Sequence, residues 1–463
     1  MSAPSPSSAV AHDDGLPLPR RYWAIIAIAL AIAMSVLDST IANVALPTIG
    51  RDLHVSPAAS IWVINAYQLT IVVLLLPLSS LGEIVGYRRV SQTGLAVFTL
   101  GSLACAFAPS LLALSMARVL QGMGAAAVMS VSPALVRFTY PHSQLGRAVG
   151  INAFVVATSA ALGPTIASAV LAVAHWRWLF GINIPLGIIA FSIAWFALPE
   201  NEPTRRAFNL PGASLYGGTC ALLLIGLQSL AHHASTALAT LQLACGCVLG
   251  VLLVRHERPR SAPILPFDLL RNRVFSLSVV TSICSFMAQS TALVALPFEI
   301  QRLGHSAVQT GLLMTPWPLA LAVAAPVAGR LADRHAAGLL GGLGLLVMAI
   351  GLALLGLLPP AAGSLAFIWR MSLCGLGFGF FQAPNNRTIL ASAPRARSGA
   401  AGGMLSSARL AGQTLGATGV AILFRAYGEA GSHFALYVAA SLALIGAVFS
   451  TVRLRGNVRE KLP

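Results

Sequence analysis

Tyr22-Trp23-Ala24-Ile25-Ile26-Ala27-Ile28-Ala29-Leu30-Ala31-Ile32-Ala33-Met34-Ser35-Val36-Leu37-Asp38-Ser39-Thr40 stays apolar for most of a membrane crossing and then carries a carboxylate. About 20 apolar residues suffice to cross the hydrocarbon core as a helix. The stretch therefore reads as a membrane helix with Asp38 inside it. A carboxylate at bilayer depth costs about 2.5–3.5 kcal/mol on insertion scales, so it needs a use. The leading uses are a proton to carry, a cation to bind or an arginine to neutralise. Asp38 is the only acidic residue well inside any apolar run of the 463-residue chain, and the chemistry is expected there.

The rest of the chain extends the same pattern. It is 57% hydrophobic and 9% charged, with a mean hydropathy of +0.80, a composition no soluble domain of this length carries. Fourteen apolar runs, separated by charged or Pro/Gly-rich turns, begin near Tyr22, Ala58, Ser91, Leu111, Gly146, Trp178, Pro211, Ala237, Val274, Val308, Gly338, Ser364, Ser398 and Phe434. The first follows a polar tail, residues 1–21, with no small-residue cleavage site after it, so it reads as a retained helix and not a signal peptide. The net charge of +16 does not point to nucleic acid. With the N-terminus inside, most Lys and Arg fall in cytoplasmic loops and tails, including Arg205/Arg206, Arg395/Arg397 and Arg453 to Lys461. Arg51, Arg177, Arg302 and Arg425 fall outside, and Arg118, Arg370 and Arg409 fall within runs. That asymmetry is the positive-inside rule, and it predicts a multi-pass protein of the cytoplasmic (inner) membrane with both termini cytoplasmic. The six cysteines lie in apolar runs and read as small buried apolar residues. Cys245-Gly-Cys247 lacks metal or redox spacing, and His232-His233 reads as a solvated loop pair. No metal or cofactor is expected.

The chain also contains itself twice. Pro141-x4-Gly146-x3-Gly150-x12-Gly163 recurs as Pro394-x4-Gly399-x3-Gly403-x12-Gly416, and Val44-Ala45-Leu46-Pro47 recurs as Val294-Ala295-Leu296-Pro297. Glu83 in Leu81-Gly82-Glu83 corresponds to Asp333 in Leu331-Ala332-Asp333. The offset exceeds six spans with their loops by enough for two more helices between Pro211 and Val254. The predicted fold is an all-α integral membrane protein of 14 transmembrane helices, two six-helix pseudo-repeat halves with a two-helix insert between them. Its parts are a cytoplasmic tail (1–21), an N-terminal bundle (22–200), the insert and linker (201–262), and a C-terminal bundle with a short tail (263–463). Parallel repeats about an axis along the membrane normal are a transporter plan, with the substrate site between the halves near the midplane.

Those residues resemble the major facilitator superfamily, and within it the fourteen-span drug:proton antiporter group. Leu37-Asp38-Ser39-Thr40-Ile41-Ala42-Asn43-Val44-Ala45-Leu46-Pro47 is similar to that group's first-helix signature. Arg118-x2-Gln121-Gly122-x-Gly124 is similar to the fourth-helix motif, and Trp176-Arg177-Trp178-Leu179-Phe180-x-Ile182-Asn183-x-Pro185-x-Gly187 to the sixth-helix entry. The resemblance implies a proton-coupled antiporter exporting small amphipathic or cationic drugs by rocking of two halves. It also implies that Gly163-Pro164 in helix 5 seals the cavity against proton leak. Two departures bear on antiport more than on export. Glu83 and Ile84 stand where the group has Asp and Arg, and Ala167-Ser168 where its helix-5 motif closes on Gly-Gly.

Asp38 lies about six residues before the outer end of its helix and Arg118 about seven residues into helix 4, so at 1.5 Å per residue both sit roughly 10 Å below the outer surface. Equal depth makes an Asp38–Arg118 interaction possible, either as the proton-coupling pair or as a fixed tie and brace between helices. Arg370 and Arg409 have no acidic counterpart in the second half and read as braces on carbonyls and interhelix polar groups, with Gln413 one turn from Arg409 suiting that role. Glu299 reads as a solvated interfacial group paired with Arg302, or else as guarding an outer vestibule. Glu83 with Arg88 and Arg89, and Asp333 with Arg330 and Arg334, are candidate cytoplasmic latches when the transporter faces outward. Trp62, Asn65, Tyr67, Gln68, Asn152, Phe154, Phe286, Met287 and Gln289 are candidate cavity residues, since flat amphipathic molecules bind to apolar and aromatic walls with few directional bonds. One deep carboxylate suits monovalent lipophilic cations or neutral compounds better than dications.

No nucleotide-binding motif is present, so the drive is expected from an ion gradient. Protons come ahead of sodium, which prefers several oxygen ligands where only one carboxylate lies at depth. A dedicated exporter of one metabolite stays open beside a multidrug exporter, and a non-transporting sensor or scaffold is the reading from another class. An enzyme has no nucleophile–base pair or phosphate loop to stand on. The expected partners are a small-molecule substrate, protons and the bilayer, with the protein functioning as a monomer, alone or with periplasmic and outer-membrane partners.

Overall fold

Long apolar runs with few interior breakers favour helix in a medium that offers the backbone no hydrogen bonds, and helices are what the chain forms. The computed structural model describes residues 15–141, 145–200, 207–231, 236–258, 267–332, 334–359, 362–393 and 398–459, with no strand among them. In order the helices are α1 (Arg20–Asp52), α2 (Pro57–Ser60), α3 (Trp62–Val85), α4 (Tyr87–Ala106), α5 (Leu111–Thr139), α6 (Leu145–Val173), α7 (Trp178–Gly181), α8 (Asn183–Ala197), α9 (Leu210–Ala231) and α10 (Thr236–Glu257). They continue as α11 (Phe267–Leu270), α12 (Arg273–Arg302), α13 (Ala307–Met314), α14 (Pro316–Leu331), α15 (Ala337–Gly356), α16 (Ser364–Ala391), α17 (Ser398–Tyr427) and α18 (Gly431–Arg459). Among the described residues, 11 apolar helical segments are long enough to cross a membrane. Fewer qualify than the fourteen runs of the sequence. α17 and α18 fall in one continuous stretch, the described apolar part of α6 is short, and α4 begins with Arg88, Arg89 and Gln92. Large apolar side chains such as Leu112, Val173, Phe196 and Leu365 stand exposed around the bundle, the surface expected of a protein solvated by lipid tails.

The internal repeat is visible in the backbone. α1 ends through Leu53 and His54 (φ +51), and α12 ends through Leu303 and Gly304 (φ +93), the same turn 250 residues apart. Ser56 then caps α2 by accepting from the Ala59 amide (3.2 Å), and Ser306 caps α13 by accepting from Gln309 (3.2 Å). Such caps satisfy amides that a helix start leaves free. Packing repeats as well. α1 lies on α6 and α8, and α5 on α3 and α4; α12 lies on α17 and α18, and α16 on α14 and α15. In both halves glycine makes a close helix crossing. A Cβ on Gly124 would stand 2.3 Å from the Phe98 nitrogen, and one on Gly377 would stand 2.5 Å from the Met348 nitrogen. Both obstacles are backbone, so only glycine allows those helices so close.

The halves meet unequally at their two ends. At the end where α1 finishes, one hydrophobic core runs unbroken from Ile41, Leu46 and Trp176 to Leu296, Trp317 and Phe424. At the Arg20 end the cores are separate, one around Ile28, Phe98 and Val131 and another around Phe275, Val279 and Ile389. Polar contacts close the Arg51 end further. Arg51 donates to Gln301 Oε1 (2.8 Å), Ser168 Oγ to the Val308 carbonyl (2.9 Å), and the Thr165 and Thr315 hydroxyls pair at 2.9 Å. Ser168, one of the two residues standing where the antiporter group has glycine, thus makes a bond between halves. Ser168→Ala removes it at a cost of about 0.5–1.5 kcal/mol. The closed form is then expected to lose roughly two- to tenfold in relative population. Faster labelling by a membrane-impermeant maleimide at Val55→Cys, in a cysteine-free background, is the readout; an unchanged rate would remove Ser168 from the closure.

α9 and α10 pack on each other as a hairpin, and α9 lies against both α3 and α17, one from each half. Tyr216 Oη donates to the Val72 carbonyl (3.1 Å), and Gly217 faces Val73. The hairpin therefore covers the α3–α17 seam from outside the bundle. Cys245 and Cys247 stand exposed on α10, a correction to the expectation that all the cysteines are buried, and all six cysteines are free.

Candidate functional site: a buried carboxylate and its donors

α1, α3, α5 and α8 converge on Asp38. Arg118 Nη1 donates to Asp38 Oδ2, Gln121 Nε2 to Oδ1 (2.7 Å) and Asn183 Nδ2 to the same oxygen (2.9 Å). Arg118 and Gln121 come from one face of α5, spaced one turn apart, and Asn183 opens α8 just after the break at Ile182. Every one of these partners is a donor, which suits an ionised carboxylate that only accepts. Asp38 is 2% exposed and Arg118 fully buried, so the pair is held almost out of water, where its rupture costs most.

A second layer holds the first. Arg118 Nε donates to the Val63 carbonyl (2.9 Å) and Nη1 also to Gln121 Oε1 (2.6 Å), while Gln121 Nε2 donates to Ser102 Oγ (2.8 Å). The guanidinium carbon lies 4.1 Å from the centre of the Tyr67 ring and 5.5 Å from that of Phe180, cation–π contacts that stabilise a desolvated cation. The Tyr67 hydroxyl donates to the Ser35 carbonyl (3.2 Å). Gly122 puts α5 against α3 at the Tyr67 carbonyl, and Gly163 puts α6 against α1 at Thr40. The arrangement is a neutral ion pair in which both carboxylate oxygens accept and Arg118 Nη2 is left without a hydrogen bond, sealed from the Arg51 end by Ile41, Val44, Leu46 and Ile49.

Other expected site residues lie elsewhere. Tyr67 is buried beneath Arg118 and is no cavity wall. Phe286 is core, packed edge-on against Phe378 with ring centres 5.3 Å apart. Asn152 lines a small pocket with Ile28, Val136 and Tyr140 inside the first half. Asn65 and Gln68 are buried on α3, and neither amide atom of Asn65 nor Oε1 of Gln68 is hydrogen-bonded. Trp62, Met287 and Gln289 are half-buried, and the Phe154 side chain lies outside what is described. Arg88 pairs with Glu200 and the Trp195 carbonyl, tying α4 to the end of α8 in this form. Glu83, Arg89, Arg330 and Arg334 are exposed, and Asp333 lies outside the described residues.

Glu299 is buried, not solvated. Arg302 donates to both its oxygens (2.7 and 3.0 Å), Ser432 Oγ donates at 2.7 Å, and His433 Nδ1 stands 3.4 Å away. Beside it, a cavity of about 450 Å³ between the halves is lined by Arg51, Phe298, Gln301, Arg302, Phe424 and Glu429. Of the two bracing arginines, Arg370 donates only within its own helix, to Ala366 (2.9 Å), and Arg409 makes no brace of any kind among the described residues. Arg453, read in the sequence as part of a cytoplasmic tail, is instead buried. It donates to Ser278 Oγ (2.6 Å) and Asn385 Oδ1 (2.8 Å), because α18 continues past the last apolar residues. Sequence reasoning left Asn183 without a role at Asp38, although it stood in the quoted sixth-helix motif.

Comparison with known proteins agrees with this picture. The family model described as Major Facilitator Superfamily matches residues 28–417 and again 278–461. The chain is 53% identical over 444 residues to an uncharacterised transporter, YebQ, of Escherichia coli, covering 95% of this chain and 97% of that one. It is 32% identical to the multidrug resistance protein Stp of Mycobacterium tuberculosis, covering 85% of this chain and 74% of that protein. It is 29% identical to the riboflavin transporter RibZ of Clostridioides difficile, covering 95% and 98%. Among solved structures, a bacterial homologue of the human lysosomal transporter Spinster superposes with a TM-score of 0.71 at 14% identity, covering 97% of this chain and 100% of the other.

Proposed function

Because the chain belongs to the major facilitator superfamily, a family of membrane transporters and not of enzymes, we propose that it is a proton-coupled antiporter exporting small amphipathic compounds by alternating access. The observation that carries this reading is the buried Asp38–Arg118 pair with its two amide donors. A proton on Asp38 removes the charge that holds Arg118 and frees an element at the centre of the first half. The sequence similarity to proteins named for multidrug resistance supports export. In this reading the fourteen runs are fourteen spans, α9 and α10 are an insert that seals the α3–α17 seam, and the protein functions as a monomer in the cytoplasmic membrane with both termini inside. The Arg51 end is then the outer face, and the described form faces inward. A proton reaches Asp38 from outside when the Arg51 end opens and leaves to the cytoplasm when it closes.

The likeness to a riboflavin transporter makes a dedicated metabolite exporter the second reading. Proteoliposomes with an imposed pH gradient separate the two. Three flat probes are offered: 9-anthracenemethylammonium, methyl 9-anthracenecarboxylate and 9-anthracenecarboxylate. Gradient-driven movement of at least one, abolished by a protonophore, is expected. No movement of any probe, with proton flux triggered only by a single metabolite, would replace the multidrug reading by the dedicated one.

A further inference from the structure

Arg409 is a cation in the middle of a membrane helix with nothing among the described residues to neutralise it. Its Nε is buried without a hydrogen bond, no acidic group acts on it, and no ion pair involves it among the described residues. The one carboxylate at this depth, Asp38, is already held by Arg118, Gln121 and Asn183. An unpaired charge at such depth is costly and marks a substrate or ion pathway more often than a structural element.

The contacts of α17 settle which way this part of the helix faces. Gly412 and Gly416 press on α12 at Met287. Leu410 and Leu415 join the core of the first half, and Gly403 meets Leu76 of α3. The remaining face, at Gly402, Arg409 and Gln413 by helical spacing, has no described atom within 4 Å of where a Cβ on Gly402 would stand. Arg409 lies on that face, half-buried between the halves and two turns from the open space at Gly402.

Other unsatisfied polar groups are buried on α3. Asn65 and Gln68 share with Leu76 the α3 face that meets α17. Counting from the Leu76–Gly403 contact at 1.5 Å per residue, Gln68 and Arg409 differ in height by only about 3 Å. Tyr67, next to Gln68, bonds the α1 backbone at Ser35, and Val63, more than a turn nearer the Arg51 end, accepts from Arg118. α3 therefore carries, over about 8 Å of its length, the contact to the ion pair and, on the face toward α17, the unsatisfied Asn65 amide and Gln68 Oε1.

We infer that Arg409 anchors an anionic oxygen of the transported compound, a carboxylate or phenolate on an otherwise flat, apolar body, with Asn65 and Gln68 bonding its polar edge. Arginine presents a planar fork of donors that suits a carboxylate in two-point contact. The inference rests on the transporter reading and gives its substrate class. It departs from the expectation that monovalent lipophilic cations or neutral compounds are handled better than dications, since a cation placed here meets uncompensated positive charge.

The test uses the full chain in lipid nanodiscs, the three anthracene probes, and empty nanodiscs to subtract partition into lipid. For wild type, 9-anthracenecarboxylate is expected to bind at least tenfold more tightly than its methyl ester, and 9-anthracenemethylammonium least tightly. In Arg409→Gln the acid-to-ester ratio falls to near one, and Arg409→Lys keeps part of the preference, which a merely structural role for Arg409 would not produce. A ratio unchanged in Arg409→Gln, a wild-type preference for the amine, or binding of none of the three overturns the site. Transport is scored separately in proteoliposomes. Driven movement of the ester with an acid-to-ester ratio of one leaves the antiporter and removes the Arg409 site. Arg409-dependent binding of the acid with no driven movement of any probe leaves the site and removes the antiporter.

Discussion

Asp38→Asn is expected to abolish gradient-driven transport, by 100-fold or more, while the protein still binds its compounds. Asparagine keeps the shape of the carboxylate and can accept from Gln121 or Asn183, but it carries no titrating proton. The argument turns on magnitudes. Separating a buried ion pair by removing one partner's charge costs about 3–5 kcal/mol. One proton crossing a 100 mV potential supplies about 2.3 kcal/mol, and a pH difference of one unit adds about 1.4 kcal/mol. The drive per proton is therefore comparable to the strength of the pair. Arg118 leaves an ionised Asp38 only at the expense of nearly the whole gradient, whereas it leaves a protonated one cheaply. In the proposed mechanism, protonation of Asp38 is the step that frees Arg118.

A stability measurement separates this role from a fixed tie. Asp38→Asn leaves Arg118 buried without a counter-charge and should lower the unfolding temperature. Asp38→Asn with Arg118→Gln removes both charges and should recover much of that loss, because two neutral groups of similar shape replace a desolvated pair. Transport should not recover with it. Equal driven transport in wild type and Asp38→Asn would take Asp38 out of coupling and leave it as a tie between α1, α5 and α8. Recovery of transport in the double variant would have the same consequence.

What was legible in the sequence follows from how lipid acts on a chain. Depth is legible, because a charge interrupts an apolar run at a countable distance from its end, and equal depth is what makes an Asp38–Arg118 interaction possible in the sequence alone. Azimuth is not. A helix surrounded by lipid and other apolar helices lacks the polar stripe that tells the faces of a soluble helix apart. Residues picked by type alone, Tyr67 and Phe286, therefore turned out to lie under Arg118 and against Phe378. Asn183 was equally hidden, since its approach to Asp38 depends on the break between α7 and α8. The repeat was legible to the residue, and His54 and Gly304 repeat it in the backbone. Arg409 was visible as a buried charge. Its lack of a partner was a property of three helices at once.

Gly163→Val is expected to make the protein leak protons. A Cβ at Gly163 would stand 2.0 Å from Thr40 Oγ1 and 2.6 Å from Thr40 Cβ. Thr40 cannot swing aside cheaply, because its hydroxyl donates to the Val36 and Leu37 carbonyls (3.1 and 3.0 Å) and its branched Cβ restricts rotation in a helix. Overpacking of this kind costs about 1–3 kcal/mol, and the cheapest relief is for α6 to move away from α1. That movement matters because the next residues of α6 carry the contacts between halves. The Pro164 carbonyl abuts Gly311, Thr165 pairs with Thr315, and Ser168 bonds Val308. Thr40 itself lies two residues from Asp38, so a gap there leads straight to the carboxylate. Proteoliposomes containing Gly163→Val should acidify internally at least tenfold faster than wild type under a pH gradient with no substrate present. Thr40→Ala in the same chain removes the hydroxyl clash and should slow the leak. A variant that unfolds more easily yet holds its gradient would reduce the Gly163-Pro164 step to a packing kink. A leak that Thr40→Ala relieves would make this approach of α6 to α1 the outer seal over the proton site.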